Sequence, residues 1–221
     1  MTDFAAARRM MVDGQIRPND VHDLRIIAAM LEIPRERFVS PSNAEFAYAD
    51  LDLPVGIDTQ PARRLLKPMV LAKMAQAAAV GASDRVLDVG CATGYSSALL
   101  APLAQSVVAL EEDPALAKLA EQALSDLHTS NVTVITGPAI KGWPARAPYD
   151  VIFLNGATEV VPKTLFGQLK EEGRLIAVMG RGPAGRVILY RCVGGNVSGW
   201  PVFDAAAALL PGFAEPPTFV F

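Results

Sequence analysis

The segment Arg85-Val86-Leu87-Asp88-Val89-Gly90-Cys91-Ala92-Thr93-Gly94-Tyr95 carries the strongest architectural signal in the chain. A short Val- and Leu-rich run breaks at Gly90 and Gly94 and resumes as an apolar segment to Leu103, which predicts a strand, a tight turn and a helix over 94–103. Working outward, the runs Ser106–Glu111, Val132–Thr136, 149–155, 174–179 and Arg186–Val193 have the same character and are predicted strands. Between the second and third strands, Leu116, Leu119, Ala120, Ala123, Leu124 and Leu127 recur at helical spacing, with Asp113 as N-cap and Pro114 at the first helical position. Alternating strands and helices of this length imply parallel strands joined by right-handed crossovers, hence an α/β, doubly wound sheet. Only the short loop 180–185 separates two late strands, which predicts an antiparallel hairpin closing the sheet.

Residues 1–80 read mostly as helix and form an N-terminal segment, and 81–221 form the sheet domain, the two making one structural unit. The tail 197–221 carries Pro201, Pro211, Pro216 and Pro217 and is predicted to be irregular coil ending in a strand-like 218–221. With 221 residues, 51% hydrophobic and 19% charged, the chain can bury a sizeable core and is not mainly disordered. A net charge of -3 without a basic stripe argues against a nucleic-acid partner. No apolar run approaches membrane-spanning length, and Asp3 ahead of Arg8-Arg9 reverses the order of a signal peptide. Two cysteines, Cys91 and Cys192, are too few for a structural zinc site and fit a reduced, cytoplasmic setting, with no metal expected.

The loop chemistry narrows the ligand. A dinucleotide fingerprint requires glycine at the first, third and sixth places, where this loop has Gly90, Ala92 and Tyr95, and a phosphate loop requires Lys after Gly94. What remains is a strand carrying Asp88, a turn with Gly90 and Gly94, and a second strand ending in Glu111 and Glu112. A carboxylate at that second strand end can accept hydrogen bonds from both hydroxyls of a ribose, and Asp88 can orient the loop or an amino group. A cationic nucleoside without phosphates fits this pattern, and S-adenosylmethionine has both features.

These residues also resemble the protein-L-isoaspartate O-methyltransferase family. The resemblance is carried by Leu31-Glu32-Ile33-Pro34-Arg35-Glu36-Arg37-Phe38-Val39, by Ala47-Tyr48-Ala49-Asp50 with Leu53-Pro54-Val55-Gly56, and by Val86 through Tyr95. Further on it is carried by Gly142-Trp143 with Ala147-Pro148-Tyr149-Asp150, and by Pro162, Gln168-Leu169-Lys170 and Gly173-Arg174-Leu175. It implies a Rossmann-like methyltransferase sheet, an enzyme with S-adenosyl-L-methionine as cofactor, and protein repair by methyl transfer to L-isoaspartyl carboxylates in damaged proteins or peptides. The cofactor residues so implied are Asp88, Gly90, Cys91, Ala92, Gly94, Glu111, Glu112, Gly137, Ala139, Ile140 and Asn155.

Three departures bear on the chemistry. Ala92 stands where the family has a third glycine, and Pro138 where it has an Asp that binds the adenine amino group, leaving adenine to backbone groups of Gly137 and Ala139 and to Ile140. The family's Thr-x-Ser-x-Pro segment at the acceptor aligns either at Thr59-Gln60-Pro61, making Thr59 the catalytic hydroxyl, or at Pro68, putting Arg64 and Leu66 where hydroxyls belong. Arg63, Arg64 and Lys67 form the local basic cluster, read either as a solvated loop or helix start or as a holder of an acidic peptide or another anionic substrate. His22 and His128 read as surface or helix-end residues, Cys91 as a plain loop residue and Cys192 as core. Two other functional readings stand beside the repair enzyme: a methyltransferase with a different acceptor, and a non-catalytic descendant that serves as a binding protein. The oligomeric state is left open.

Overall fold

The computed structural model of the protein describes residues 2–56 and 63–215. The chain enters through helix α1 (Phe4–Met11), a short π turn Val12–Ile16 and helix α2 (Leu24–Glu32), N-capped by Asp3 and Asp23 respectively. Two 3₁₀ segments follow, Arg35–Phe38 and Pro41–Phe46, then a small antiparallel hairpin of β1 (Leu53–Val55) and β2 (Arg63–Leu65), and helix α3 (Pro68–Ala77). The N-terminal segment is thus largely helical with a hairpin the helical reading did not contain. Pro68 opens α3, whose first amides are capped from a distance: Lys67 N–H donates to Asp52 Oδ1 at 2.9 Å and Met69 N–H to Asp50 Oδ1 at 3.3 Å.

The sheet strands are β3 (Arg85–Val89), β4 (Ser106–Glu111), β5 (Val132–Thr136), β6 (Tyr149–Thr158), β7 (Leu169–Met179), β8 (Arg186–Val193) and β9 (Asn196–Asp204). Their order is β5-β4-β3-β6-β7-β8-β9, parallel through β7 and antiparallel for β8 and β9. Four predicted strands coincide with β3, β4, β5 and β8, and the late antiparallel hairpin is present as β7–β8. Helices α4 (Tyr95–Leu100) and α5 (Pro114–Asp126) form the crossovers, with the Asp113 carboxylate accepting from the Ala115 and Leu116 amides. A third helix between sheet strands, α6 (Lys163–Phe166), is a single turn.

The tail corrects the reading of 197–221 as coil, because β9 pairs with β8 from Val193↔Asn196 to Arg186↔Asp204. Glycine and proline weigh against a strand in the sequence, but Gly194 and Gly195, both at positive φ, make the turn. An edge strand has a free side and tolerates Pro201, which lacks an N–H, near the register shift between Val187 and Ile188. Residues 218–221 lie outside the described residues.

Strand alternation sorts the core into two layers. On one face Val151, Phe153, Ile176 and Val178 pack with α3, α4, α5 and the N-terminal residues Met11, Ile16, Ile26, Met30 and Phe38. On the other, Ile152, Leu154, Leu175 and Ala177 pack with Ala139, Leu165 and two residues that follow β9, Leu210 and Phe213. The chain after β9 is held to the sheet by backbone bonds on both sides of one residue: Ala157 N–H donates to Ala208 O, and Leu210 N–H donates to Ala157 O, each at 2.8 Å. From β3 the chain goes outward through β4 and β5 and then crosses to β6, so the strand order reverses between β3 and β6, where open α/β sheets place their ligands.

Candidate functional site

At this switch point the turn after β3 is hooked onto β4. The Gly90 and Cys91 amides both donate to Leu110 O, at 2.8 and 3.2 Å. Gly90 and Gly94 take positive φ (74° and 92°), and the turn between them carries Ala92 at φ 53°, a left-handed residue that glycine adopts at lower cost. The return for that strain is a hydrogen bond of 2.7 Å from the Ala92 amide to Glu111 Oε2. A Cβ at Gly94 would lie 3.1 Å from the Cβ of Ala120, so α4 can approach α5 this closely because the side chain is absent.

Glu111, at the end of β4, is 1% exposed and receives four donors. Oε1 accepts from the Glu112 and Asp113 amides at 3.0 and 3.2 Å, and Oε2 accepts from Ala92 N–H and from Arg63 Nη2 at 3.1 Å. The same Arg63 nitrogen donates to the carbonyl oxygen of Gly90 at 2.8 Å. Asp88 is fully buried, and its Oδ2 accepts from the hydroxyls of Ser96 and Ser97, both at 2.6 Å. Burial pushes its carboxyl up to about 6, against the two serine hydrogen bonds, while the Glu111 charge adds to the rise and Arg63 opposes it. Asn155, on β6, donates from Nδ2 to Ser96 Oγ at 2.5 Å. Asp88 Oδ1 and Asn155 Oδ1 are buried without a hydrogen-bond partner among the described residues.

The structure therefore brings together Asp88, Gly90, Cys91, Ala92, Gly94, Glu111 and Asn155 at the carboxyl edge of the sheet. Gly137 follows β5 and donates its amide to Glu111 O at 3.0 Å, so that N–H already serves the sheet. Ala139 is buried in a 3₁₀ turn, Ile140 is 39% exposed, and Glu112 is exposed with only its backbone amide on Glu111. Thr59 lies outside the described residues. Cys91 is buried, and burial raises its thiol well above its ordinary range, with Asp88 and Glu111 adding to the effect, so it is held as a thiol and not a thiolate nucleophile. Cys192 is buried in β8, and His22 and His128 are exposed. Among the described residues no group of three His, Cys, Asp or Glu could hold a metal ion, and no helix is long and apolar enough to cross a membrane.

The solvated reading of the basic cluster is corrected for Arg63, which is 6% exposed and paired with Glu111. Alternation along β2 turns Arg63 and Leu65 inward and Arg64 outward, where Arg64 Nη1 donates to Asp52 O at 3.0 Å. Leu66 is buried in the apolar layer that includes α3, and its carbonyl accepts from Arg35 Nη2 at 2.8 Å, which makes it a packing residue. Sequence reasoning missed Ser96 and Ser97. Their signal was polar side chains in the first turn of the helix after the glycine turn, within reach of the strand acid. It also missed Leu210: a Cβ at Gly90 would lie 2.8 Å from Leu210 Cδ2, and one at Gly156 2.8 Å from Leu210 Cγ.

The sequence profile of the family described as protein-L-isoaspartate(D-aspartate) O-methyltransferase matches residues 7–193, which include Arg63, the glycine turn, Glu111 and Asn155. The chain belongs to that family. A protein-L-isoaspartate O-methyltransferase of Gloeobacter violaceus is 39% identical over 170 residues, covering 77% of this chain and 81% of the relative. One of Methanoregula boonei is 40% identical over 185 residues, covering 83% of each. Among solved structures, a protein-L-isoaspartate O-methyltransferase superposes with a TM-score of 0.83 at 27% identity, covering 93% of this chain and 66% of that one. A Plasmodium falciparum protein solved in complex with S-adenosyl-L-homocysteine has the same fold, with a TM-score of 0.76 at 15% identity over 95% of this chain and 99% of its own. The family's methyl donor is S-adenosyl-L-methionine. The residues present fit that group in chemistry, since two buried acceptor oxygens, Asp88 Oδ1 and Asn155 Oδ1, have no donor among the described residues at the switch point, where a ligand with an ammonium group would supply one.

Proposed function

We propose that this protein methylates the side-chain carboxylate of L-isoaspartyl residues in damaged proteins or peptides, with S-adenosyl-L-methionine as donor. The observation that carries the proposal is the family match over 7–193 laid on a glycine turn that faces a buried acid, Glu111, across the switch point. We assign the donor to Asp88, Gly90, Cys91, Ala92, Gly94, Glu111, Glu112, Ala139, Ile140 and Asn155, with Gly137 contributing shape because its amide is already engaged. Thr59 is assigned to the acceptor side.

When bound, the donor supplies an electrophilic methyl group on a cationic sulfur. The acceptor carboxylate is ionised near neutral pH, so the chain need supply neither general acid nor base. Its work is alignment and exclusion of water, which can be worth about 7–11 kcal/mol. Buried, hydrogen-bonded groups suit that work: Ser96 and Ser97 fix the Asp88 carboxylate, and Ser96 also fixes Asn155, so the donor's polar contacts are set before it enters. The raised Cys91 thiol leaves no competing nucleophile beside the turn. A cytoplasmic location, with neither nucleic acid nor membrane as partner, accords with two unpaired buried cysteines and the net charge of -3.

The test compares an isoaspartyl peptide with its aspartyl isomer, using donor labelled in the methyl group. Base-labile label on the isoaspartyl peptide alone is the expected result. Equal labelling of both, or none of either, refutes the assignment of acceptor.

A further inference from the structure

Arg63 makes the two contacts that a donor of the proposed kind would make. A cationic nucleoside needs an acceptor for its hydroxyls, which Glu111 provides, and acceptors for its ammonium group, to which the Gly90 carbonyl oxygen can add beside Asp88 Oδ1 and Asn155 Oδ1. In this structure one nitrogen of Arg63 serves both, donating to Glu111 Oε2 at 3.1 Å and to Gly90 O at 2.8 Å. It also occupies space above the turn, because a Cβ at Gly90 would come within 2.9 Å of Arg63 Nη2. Two grooves among the described residues leave this point uncovered. One, of about 490 Å³, is bounded by Phe38, Val39, Thr93 and Leu119, the other by Ile33, Pro34, Ala98 and Asn131, and neither is lined by Gly90, Glu111 or Asn155.

We propose that Arg63 is an internal latch on the donor site, resting on the reading above: its guanidinium stands in for the donor's cationic and hydroxyl groups, and donor binding requires the β1–β2 hairpin to withdraw it. The hairpin that carries Arg63 lies outside the main sheet, with Leu53, Val55 and Leu65 buried beneath it. It is a two-stranded sheet of three residue pairs, Leu53↔Leu65, Pro54↔Arg64 and Val55↔Arg63, apart from the seven-stranded sheet. Leu210, which fills the other side of the turn, is pinned by backbone bonds flanking Ala157 and stays in place. Withdrawing a buried guanidinium from a carboxylate opposes binding, so the latch lowers donor affinity by the fraction of molecules in which it is open. Lysine at this position keeps the charge but not the fork that reaches two acceptors.

The experiment is calorimetric titration of the full chain with S-adenosylhomocysteine, for the parent, Arg63→Met and Arg63→Lys. It is paired with amide hydrogen exchange of the parent with and without saturating S-adenosylhomocysteine. Tighter binding by roughly tenfold for Arg63→Met, an intermediate gain for Arg63→Lys, and faster exchange in Leu53–Val55 and Arg63–Leu65 on binding are expected. Exchange in the parent keeps the test decisive if Arg63→Met does not fold. Parent binding with hairpin amides that become protected, or a folded Arg63→Met that binds no tighter, overturns the latch and leaves the donor site standing. Absence of binding by both the parent and a folded Arg63→Met overturns the donor site itself, and the latch with it.

Discussion

Asp88 gives the site a pH dependence that can be measured without any ligand. Its carboxyl is pushed from the ordinary 3.8 up to about 6 because it is buried, with only Ser96 and Ser97 donating to Oδ2 and nothing among the described residues donating to Oδ1. An acid whose folded pKa is raised binds its proton more tightly in the native state than in the unfolded one. Stability is therefore fullest below the unfolded value, falls as pH rises through the interval between 3.8 and about 6, and is level above it. The difference of about 2 units corresponds to about 3 kcal/mol in all, of which about 2.5 kcal/mol develops between about pH 4 and pH 7. Asp88→Asn keeps an oxygen for the two serine hydroxyls and carries no charge at any of these pH values, so it lacks this component. Urea denaturation of parent and variant across that range, at constant ionic strength, isolates Asp88 because the other titrating groups are common to both. The variant should gain about 2.5 kcal/mol on the parent between the two ends, or about 5–10 °C in midpoint temperature for a chain of this size. A difference curve that stays flat, or that slopes the other way, refutes the assignment of Asp88 as a buried carboxyl held largely against its charge.

Two further substitutions follow from the packing of the site. Arg63→Met and Glu111→Gln should each destabilise by about 3–5 kcal/mol, because each leaves a buried charge without its partner, whereas the double variant should cost clearly less than the sum. Additive denaturation midpoints across that cycle would show that the pair is not coupled. Phe213→Ala should cost about 3–5 kcal/mol in urea denaturation and speed amide exchange after β9, since Phe213 is fully buried under the sheet; a loss below about 1 kcal/mol would mean that this segment does not seal the layer.

Much of this protein is local in origin and could be read from residue order alone. The runs at β3, β4 and β5 are short, β-branched and bounded by glycine, asparagine or acid, and α5 announces itself by Asp113, Pro114 and a 3.6-residue apolar period, because caps and periodicity act within a few residues. The pairing of a glycine turn with an acid at the next strand end follows from parallel topology, which sets Val89 beside Leu110 and so brings Glu111 alongside the turn. What the tertiary structure alone decided is where distant segments return. β9 needed β8 beside it before a glycine- and proline-bearing run could become a strand. Arg63, one of three basic residues in a short stretch, became a buried partner of Glu111, 48 residues away, once the pairing of β1 with β2 fixed which of its neighbours faced inward. Leu210 looked like any leucine of a proline-rich tail until its bonds to Ala157 set it over Gly90. Periodicity tells a residue which way to face relative to its own element, and only the packing of elements far apart in sequence determines what it then meets.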